Sequence, residues 1–362
     1  MFSPTDRQHM AAALRLAENG LFTATPNPRV GCVIVREDQV VGSGWHRQAG
    51  APHAEVIALR AAGERARGAT AYVSLEPCSH HGRTPPCVDA LIQAGIARVV
   101  AAMQDPNPRV SGSGFARLRA AGIQVESGLM QDEAHALNVG FVARMARGRP
   151  WVRMKIAASL DGRTALANGA SQWITGPEAR RDGHAWRARA CAVLTGIGTV
   201  RDDDPQLNVR EVETTRQPLK VVVDSRLQLP LSARLLQSGP VLVAAAVDDP
   251  AGAAALRGKG AEVVVLPDAR GKVELAELMR ELARRELNEV HVEAGFKLNG
   301  SLLGAGLVDE LLVYLAPSIL GDGARGMFDL PELTELAHKR LVQFADVQTL
   351  GSDLRILARV LN

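Results

Sequence analysis

The sequence predicts an α/β protein with two layered domains. The chain has 362 residues, a length that is typical of two domains of ordinary size. Short apolar runs of strand length alternate with segments of helical periodicity, a pattern typical of sheets that carry helices on their faces. A basic segment that also contains glycine and proline, 144–150, interrupts this pattern. We therefore expect one domain at 1–146 and a second at 147–362.

The elements of the first half follow from local signals. A helix should run from Thr5 to Gly20, because glycine suits the position just after a helix end. Apolar runs on both sides of Glu37-Asp38-Gln39 predict a β-hairpin. Helices and strands then alternate to about residue 143. The remaining elements expected here are strands at 30–35, 40–45, 70–75 and 98–103, and helices at 53–65 and 87–94.

The second half should contain a mixed sheet, because its last strands follow one another with little helix between them. A new strand begins at Trp151, just after the basic segment. The strands expected in this half are 151–158, 192–195, 219–224, 241–246, 262–266, 290–293, 309–320 and the run within 341–361. Helices are expected at 177–189 and 273–286, and a further one should begin near Lys297.

Composition excludes several classes of function. The net charge is only +3 and aromatic residues make up 4%, which argues against a dedicated nucleic-acid binder. Four cysteines in a chain of this length do not form a disulfide framework, and we expect Cys32 and Cys191 to be ordinary buried thiols. The N-terminal residues lack the apolar core of a signal peptide, and no uncharged apolar run has the length of a membrane span. We therefore expect a cytoplasmic protein, with its thiols reduced.

Two short stretches predict a zinc site. Pro52-His53-Ala54-Glu55 offers an imidazole, and Glu76-Pro77-Cys78 with Cys87 offers two thiols. Zinc prefers nitrogen and sulfur ligands in a tetrahedron, and a catalytic site leaves its fourth position open for water. One histidine and two cysteines, with a nearby glutamate, are the residues with which zinc enzymes deaminate nitrogen heterocycles. His53, Cys78 and Cys87 are thus the expected metal ligands.

Glu55 is expected to act beside the metal rather than on it. It is two residues from His53, and residues at that spacing do not share a helix face. A carboxylate in this place can take a proton from water and pass it to the leaving amine, and such help is typically worth about 10²–10⁴-fold in rate. Glu55 is therefore the expected catalytic acid and base.

Two alternatives remain open for this site. The general deaminase signature has two residues between its cysteines, whereas eight separate Cys78 from Cys87 here, so His80 or His81 could compete as a ligand. We favour Cys87, because Pro85-Pro86 would place it at a helix N-terminus, which stabilises a thiolate. The other alternative is structural: the histidine and glutamate cap a surface helix and the cysteines are buried thiols.

Nucleotide-binding signals in the second half are weaker. The segment 321–326 has the spacing G-x-G-x-x-G, but no helix is expected after it, so a surface turn is the better interpretation. Gly196-Ile197-Gly198 follows a strand and lacks the third glycine. Gly295 follows another strand and precedes a helix, whose N-terminus could bind phosphate. Six arginines are clustered within residues 180–210. For most of them a solvated helix face is the simplest interpretation: Arg180, Arg181, Arg187, Arg189, Arg201 and Arg210.

These residues together resemble the bifunctional riboflavin-biosynthesis deaminase/reductase family. The similarity extends over nearly the whole chain, with its motifs in the same order, and it includes the long gap between Cys78 and Cys87. The matching segments are 26–32, 44–46, 53–55 and 75–87 in the first half and 155–163, 171–175, 203–205 and 292–295 in the second.

The resemblance implies two reactions, two folds and two cofactors. A cytidine-deaminase-like three-layer domain with Zn²⁺ would remove the 2-amino group of 2,5-diamino-6-(5-phosphoribosylamino)pyrimidin-4-one. A dihydrofolate-reductase-like mixed-sheet domain would then use NADPH to reduce the ribosyl group to ribityl. The substrate is thus expected to be a phosphorylated pyrimidine, with no nucleic acid or membrane as partner, and the family suggests a homo-oligomer, either a dimer or a tetramer.

The resemblance also assigns residues to the two pockets. Asn27 and His46 would line the deaminase pocket. The residues that would contact NADPH are Ala157, Trp173, Thr199, Asp203, Ser225, Gly295, Phe296, Lys297, Leu298, Asn299, Gly300 and Ser301. The residues that would contact the sugar phosphate are Ser171, Arg187, Leu207, Arg210 and Glu293. Arg187 and Arg210 are therefore the arginines expected to bind phosphate.

Two competing hypotheses belong to other classes of function. The first is a single-activity zinc deaminase for a nucleoside or a tRNA base, with a non-catalytic C-terminal domain. The second is a structural zinc module for protein interaction, in which a fourth protein ligand closes the site. Oxidation of NADPH coupled to deamination would exclude the first, and metal-dependent release of ammonia would exclude the second.

Overall fold

The computed structural model describes residues 2–80, 85–108 and 110–361. The chain divides into two compact units, Met1–Gly148 and Arg149–Asn362. In the described part of the chain, no helix has both the length and the apolar character needed to cross a membrane.

The first unit contains a five-stranded sheet with the order β2-β1-β3-β4-β5. Strand β1 runs antiparallel to β2 and β3, while β3, β4 and β5 are parallel. The strands are β1 Gly31–Arg36, β2 Gln39–Trp45, β3 Thr70–Val73, β4 Arg98–Ala101 and β5 Gln124–Ser127. The helices are α1 Pro4–Glu18, α2 Ala54–Ala62, α3 Cys87–Gln93, α4 Ser113–Ala120, α5 Gln131–Leu137 and α6 Val139–Arg147.

Helices cover both faces of this sheet, as the three-layer prediction requires. Alternate residues of β1 enter different apolar clusters: Cys32 packs with residues of α2, α3 and α4, and Val33 packs with residues of α1, α5 and α6. Successive side chains of a strand point to opposite faces, so a strand buried on both sides reads as a continuous apolar run. This explains why 30–35 is apolar at nearly every position.

Two local predictions for the first unit have clear outcomes. The hairpin is confirmed, because Glu37 and Asp38 form a two-residue turn with positive φ between the paired residues Arg36 and Gln39. Helix α1 ends at Glu18 with Asn19 as its C-cap, and Gly20 follows without the left-handed conformation that the prediction invoked. A Cβ atom at Gly20 would lie 3.0 Å from the carbonyl oxygen of His46, so close packing explains this glycine.

The second unit contains a nine-stranded mixed sheet with the order β11-β10-β9-β8-β12-β6-β13-β16-β15, and β7 pairs with β14 in a small separate sheet. The strands are β6 Trp151–Ser159, β7 Arg163–Ala165, β8 Ala192–Gly196, β9 Leu219–Val223, β10 Val241–Ala245, β11 Ala261–Val265, β12 Glu289–Val292, β13 Glu310–Ala316, β14 Arg325–Gly326, β15 Leu341–Leu350 and β16 Asp353–Leu361. The helices are α7 Pro177–Arg189, α8 Ile197–Asp203, α9 Pro250–Arg257, α10 Leu275–Arg284 and α11 Phe296–Gly304.

The direction of the strands shows at which edge of this sheet a ligand is expected to bind. The strands from β11 to β13 are parallel to their neighbours, whereas β16 and β15 are antiparallel, so the mixed-sheet prediction is confirmed. Parallel strands end at a common edge, and ligands of such sheets bind there. The ends of β6, β8 and β12 therefore meet where the sequence placed Ala157, Gly196 and Gly295.

Candidate active sites

The first unit brings His53, Cys78 and Cys87 together. His53 is the N-cap of α2, Cys78 follows β3, and Cys87 is the first residue of α3 after Pro86. The His53 Nδ1 atom lies 3.1 Å from the Cys87 Sγ atom and 3.5 Å from the Cys78 Sγ atom, and the three possible ligand atoms lie within 4.8 Å of one another. Nitrogen and sulfur ligands of one tetrahedral zinc are about 3.6 Å apart. This spacing fits a zinc ion.

Of the two alternative ligands, His80 lies within the described residues and His81 does not. Within the described residues, the metal-binding group consists of His53, Cys78 and Cys87, and His80 is an exposed residue outside it. Cys32 and Cys191 are buried thiols that do not belong to this group, as the sequence analysis expected.

The surroundings of the two cysteines favour a thiolate at Cys78. The backbone N–H of Cys87, at the start of α3, donates to the Cys78 sulfur over 3.3 Å. The Cys87 side chain and His53 also bond to this sulfur, and these hydrogen bonds lower the pKa of the Cys78 thiol. In return, the hydrogen bond to Cys78 raises the pKa of His53. A thiolate beside an imidazole is the form that binds a metal.

Glu55 lies in the first turn of α2 and is 3% exposed. Burial, followed by the nearby Cys78 thiolate, raises the pKa of Glu55 to about 7. Glu55 does not belong to the three-residue metal group of the described chain, although it is close enough to hydrogen-bond the Cys87 side chain. The structure thus places a buried carboxyl group next to the cluster and off its ligand set.

Asn27 and His46 form the adjacent wall of this site. The His46 Nδ1 atom donates to the Pro52 carbonyl oxygen over 3.2 Å, so the Nε2 atom of the neutral ring accepts from the Asn27 amide over 3.0 Å. Burial lowers the pKa of His46, and His53 lowers it further, which keeps this ring neutral. The rings of His46 and His53 meet edge to face with centroids 5.1 Å apart. The Asn27 side chain is thereby held beside the metal group.

The second unit has a cavity of about 680 Å³ at the carboxyl edge of its large sheet. Twelve of the residues that the resemblance assigned to NADPH or the sugar phosphate line it: Ala157, Ser171, Trp173, Arg187, Thr199, Asp203, Leu207, Arg210, Glu293, Gly295, Phe296 and Asn299. Five assigned residues do not line it: Ser225, Lys297, Leu298, Gly300 and Ser301. The expected pocket residues of the second half thus largely converge on one cavity.

The N-terminus of α11 fits the phosphates of a dinucleotide. Gly295 is the N-cap and provides no side chain, so the first N–H groups of α11 receive no cap from that residue. A Cβ atom at this position would lie 3.7 Å from the Thr199 hydroxyl oxygen. Backbone N–H groups at a helix N-terminus attract anions, because the helix dipole is positive there. Backbone donors and a hydroxyl at the edge of the cavity suit the pyrophosphate of NADPH.

A partly buried ion pair lies inside this cavity. The Arg187 Nε atom donates to one Glu293 carboxylate oxygen over 2.7 Å, and its second nitrogen donates to the other over 2.9 Å. Burial raises the pKa of Glu293, but Arg187 and His291 outweigh it, and the net pKa lies well below its usual value. Arg187 also donates to the Asn208 carbonyl oxygen. Glu293 is therefore a carboxylate that is fixed in place.

Arg210 is placed differently from Arg187. Its guanidinium donates to the side chains of Gln206 and Asn208, over 3.1 and 2.5 Å. Its backbone N–H donates to the His184 Nδ1 atom over 3.3 Å, and burial, together with Arg187 and Arg210, lowers the pKa of His184 to about 4. His184 is thus a neutral acceptor that holds the Arg210 backbone at the cavity.

Several other arginines of the cluster have specific partners, whereas the sequence analysis interpreted most of them as a solvated helix face. Arg180 stacks on Trp173 at 4.7 Å, Arg189 pairs with Glu289 at 2.8 Å, and Arg201 bonds to Gln228. Among the cavity residues to which the sequence analysis assigned no role are His184 in α7 and Lys155 in β6. No motif surrounds His184. Lys155 is the first residue of the matching segment 155–163, and a lone lysine in an apolar strand was the signal available.

The glycine-rich segment 321–326 forms a turn, as expected. The Asp161 carboxylate accepts N–H groups from Leu320 and Gly321, over 3.1 and 2.7 Å, and the segment ends in β14. These contacts tie the turn to the loop between β6 and β7.

Comparison with known proteins agrees with this geometry. The family description "Cytidine and deoxycytidylate deaminase zinc-binding region" matches residues 3–103, and "RibD C-terminal domain" matches residues 150–356. The chain is 50% identical to the riboflavin biosynthesis protein RibD of Escherichia coli, over 96% of this chain and 98% of that protein. It is 47% identical to RibD of Haemophilus influenzae, over 98% and 97% of the two chains. The chain belongs to the RibD family.

Solved structures of the family share the complete fold. RibD of Acinetobacter baumannii superposes with a TM-score of 0.92 at 44% identity, and each chain is covered to 99%. A Thermotoga maritima protein named as a diaminohydroxyphosphoribosylaminopyrimidine deaminase and 5-amino-6-(5-phosphoribosylamino)uracil reductase superposes with a TM-score of 0.87 at 33% identity, again over 99% of both chains.

Family membership decides between the functional hypotheses. Members of the RibD family are bifunctional, and this chain carries both a zinc-dependent deaminase and a reductase of riboflavin biosynthesis, with Zn²⁺ and NADPH as cofactors. The two-activity prediction is therefore confirmed and favoured over the single-activity deaminase.

Proposed function

We propose that the unit formed by 1–146 deaminates 2,5-diamino-6-(5-phosphoribosylamino)pyrimidin-4-one and that 147–362 reduces the ribosyl group of the product to ribityl. The observation that carries the first step is the compact group of His53, Cys78 and Cys87 with a buried Glu55 beside it. The Thermotoga maritima relative, which is named for both reactions, supports the choice of substrates.

In the deaminase, His53, Cys78 and Cys87 would hold the zinc. The zinc would act as a Lewis acid and lower the pKa of water. Glu55 accepts a proton from the attacking water and delivers it to the amino nitrogen, which leaves as ammonia while oxygen takes its place on the ring carbon. The buried position of Glu55 excludes bulk water from this transfer. Asn27 orients the heterocycle, because His46 fixes its amide beside the metal group.

In the reductase, NADPH supplies the reducing equivalents. Gly295 and Phe296 at the N-terminus of α11, with Thr199, bind its phosphates, and Ala157, Trp173, Asp203 and Asn299 contact the rest of the cofactor. Asp203 accepts from the Ser171 hydroxyl over 3.3 Å, which joins the cofactor residues to the substrate residues.

Charged side chains line the part of the cavity that would bind the substrate. Arg210 binds the phosphate of the sugar, while Arg187 and Glu293 position the ribosyl chain between Ser171 and Leu207. The bidentate pair of Arg187 with Glu293 keeps both side chains in one orientation, so the ribosyl hydroxyls would meet a fixed acceptor.

A coupled assay tests this function. Purified protein would receive the diaminopyrimidine phosphate and NADPH, and both ammonia release and NADPH absorbance would be followed. We expect ammonia first and an equal amount of NADPH oxidised afterwards. Ammonia without NADPH oxidation would restore the single-activity hypothesis, and no ammonia at all would mean that the substrate is wrong.

We further infer a homodimer that acts on small molecules in the cytoplasm. Strand β15 lies at the end of the large sheet, and its apolar side chains Leu341, Phe344 and Val347 are 53%, 67% and 52% exposed. A long apolar edge strand invites another strand. The sole charged residue in β15, Asp346, pairs with Arg355 over 2.7 Å, so β15 of a second copy can approach without unpaired like charges. The four free cysteines suit a reducing compartment.

A further inference from the structure

Glu76 is a buried carboxylate that the two reactions do not use. It is 3% exposed and lies between β3 and Cys78. Its Oε2 atom accepts the backbone N–H groups of Asp105 and Gly112, over 3.1 and 3.0 Å. Its Oε1 atom accepts those of Gly114 and Phe115, over 2.9 and 3.3 Å. Four donors fill the acceptor positions of an ionised carboxylate.

These four donors belong to one segment, which runs from the end of β4 into the first turn of α4. Helix α4 begins at Ser113, and its N-cap Gly112 has no side chain with which to cap it. The carboxylate of Glu76 supplies the missing acceptor from a distant part of the chain, and its charge suits the positive end of the helix dipole.

The neighbours of Glu76 are fitted to the same helix. A Cβ atom at Gly114 would lie 2.2 Å from the Pro77 carbonyl oxygen, so only glycine allows α4 to approach this closely. The Ser79 hydroxyl lies 2.6 Å from the Ser113 hydroxyl, and Arg117 donates to the Ser79 carbonyl oxygen over 2.8 Å. The residues on both sides of Cys78 are thus fixed to α4.

We propose that Glu76 is a positioning residue of the deaminase metal site, which holds the Cys78 sulfur in its place by fixing the segment 76–79 to Asp105 and to the start of α4 at 112–115. This rests on the proposed role of Cys78 as a metal ligand. Residues that orient metal ligands typically change metal affinity or activity by about 10–100-fold when they are replaced. Glu76 acts through Cys78 and does not touch the metal.

Glu76→Gln is the direct test, because it keeps the size and removes two of the four acceptor sites. In either orientation, the glutamine NH₂ group faces two backbone N–H groups, and those donors lose their acceptor. We expect about tenfold weaker metal binding or more, measured by competition with a chelator, and a shifted visible spectrum of the Co²⁺-substituted protein. The kcat of deamination should fall by about tenfold or more, while reduction of supplied deaminated product is unchanged.

Asp6→Asn is the matched control. Asp6 is also a buried acid of the first unit, 5% exposed, and its partners are Ser3, Tyr72 and Arg98 rather than the Cys78 segment. It should lower the melting temperature of the first unit and leave the Co²⁺ spectrum unchanged. If Asp6→Asn shifts the spectrum as much as Glu76→Gln, general destabilisation explains both and the proposal is overturned.

The remaining outcomes are also decisive. A Co²⁺ spectrum and metal affinity of Glu76→Gln equal to those of the parent chain would overturn the positioning role alone. Failure of the parent chain to bind Co²⁺ would overturn the metal site itself and this inference with it. Should Glu76→Gln fail to fold, Glu76→Asp decides, because it keeps the charge but shortens the side chain and so withdraws the carboxylate from its four donors. A spectral shift is expected from that variant, and no shift would contradict the proposal.

Discussion

Replacing Glu55 with glutamine should stop ammonia release and leave the zinc in place. A positioned general acid and base contributes about 10²–10⁴-fold, which corresponds to about 3–5 kcal/mol of barrier. The glutamine side chain has the same size and can neither accept nor deliver this proton. We therefore expect the kcat of deamination to fall within this range or below the limit of detection.

The structure also predicts the effect on stability. Burial raises the pKa of Glu55 to about 7, so in the metal-free unit the carboxylate is disfavoured by about 3 kcal/mol at neutral pH. An uncharged amide avoids this desolvation cost. The first unit of Glu55→Gln should thus melt no lower than that of the parent chain when both are freed of metal.

The assay has three readouts on one preparation. Ammonia release reports the deaminase, the zinc content of the purified protein reports the metal group, and NADPH oxidation with supplied deaminated product reports the reductase. Glu64→Gln is the control, since this exposed glutamate lies in the short 3₁₀ turn that follows α2. Loss of zinc from Glu55→Gln, with His53 and both cysteines untouched, would refute the assignment and make Glu55 a ligand.

Three further predictions concern the metal, the phosphate and the edge strand. Removal of zinc by a chelator should abolish ammonia release, leave reduction of supplied product intact, and be reversed by added Zn²⁺; parallel loss of both activities would contradict separate sites. Arg210→Ala should raise the KM of reduction by about 10–100-fold, because a hydrogen bond to a charged group is worth about 1.5–3 kcal/mol. The same variant should change deamination little, and the control Arg257→Ala should change neither activity. Phe344→Asp should shift the protein from dimer to monomer in sedimentation experiments, unlike Leu231→Asp, and an unchanged dimer would exclude β15 from the interface.

The metal site could be predicted from sequence because its signals are local. Each ligand lies at the end of an element that its neighbours define: His53 precedes α2, Cys78 follows the apolar run of β3, and Pro86 sets Cys87 at the start of α3. The alternation of strands and helices was likewise visible, although β3 and β4 end two residues earlier than the apolar runs suggested. In both cases the run continues as buried chain after the last ladder pair.

Other features depend on contacts that the sequence does not encode locally. The nine-stranded sheet places strands side by side that are far apart in the chain, such as β6 and β12, and no pattern within a strand identifies its neighbours. In the sequence, Glu76 was only one residue of the motif before Cys78. Its four backbone donors lie 29 to 39 residues further along the chain, so no local pattern indicated its role. The pair of Arg187 and Glu293 joins residues 106 positions apart, and nothing around either residue indicated the other.

The pair of Arg187 with Glu293 shows which arginine of the reductase cavity is better suited to bind a phosphate group. From sequence, Arg187 and Arg210 were equivalent candidates. In the structure, the charge of Arg187 is balanced by Glu293 in bidentate contact, so its attraction for an anion is largely cancelled. Removing Arg187 would also leave the partly buried Glu293 carboxylate without its bidentate partner, so its loss would disturb the site whatever it binds. Arg210 instead donates to the neutral side chains of Gln206 and Asn208, which orient its guanidinium without neutralising it. A phosphate group should therefore be bound chiefly by Arg210, and the role of Arg187 is to hold Glu293.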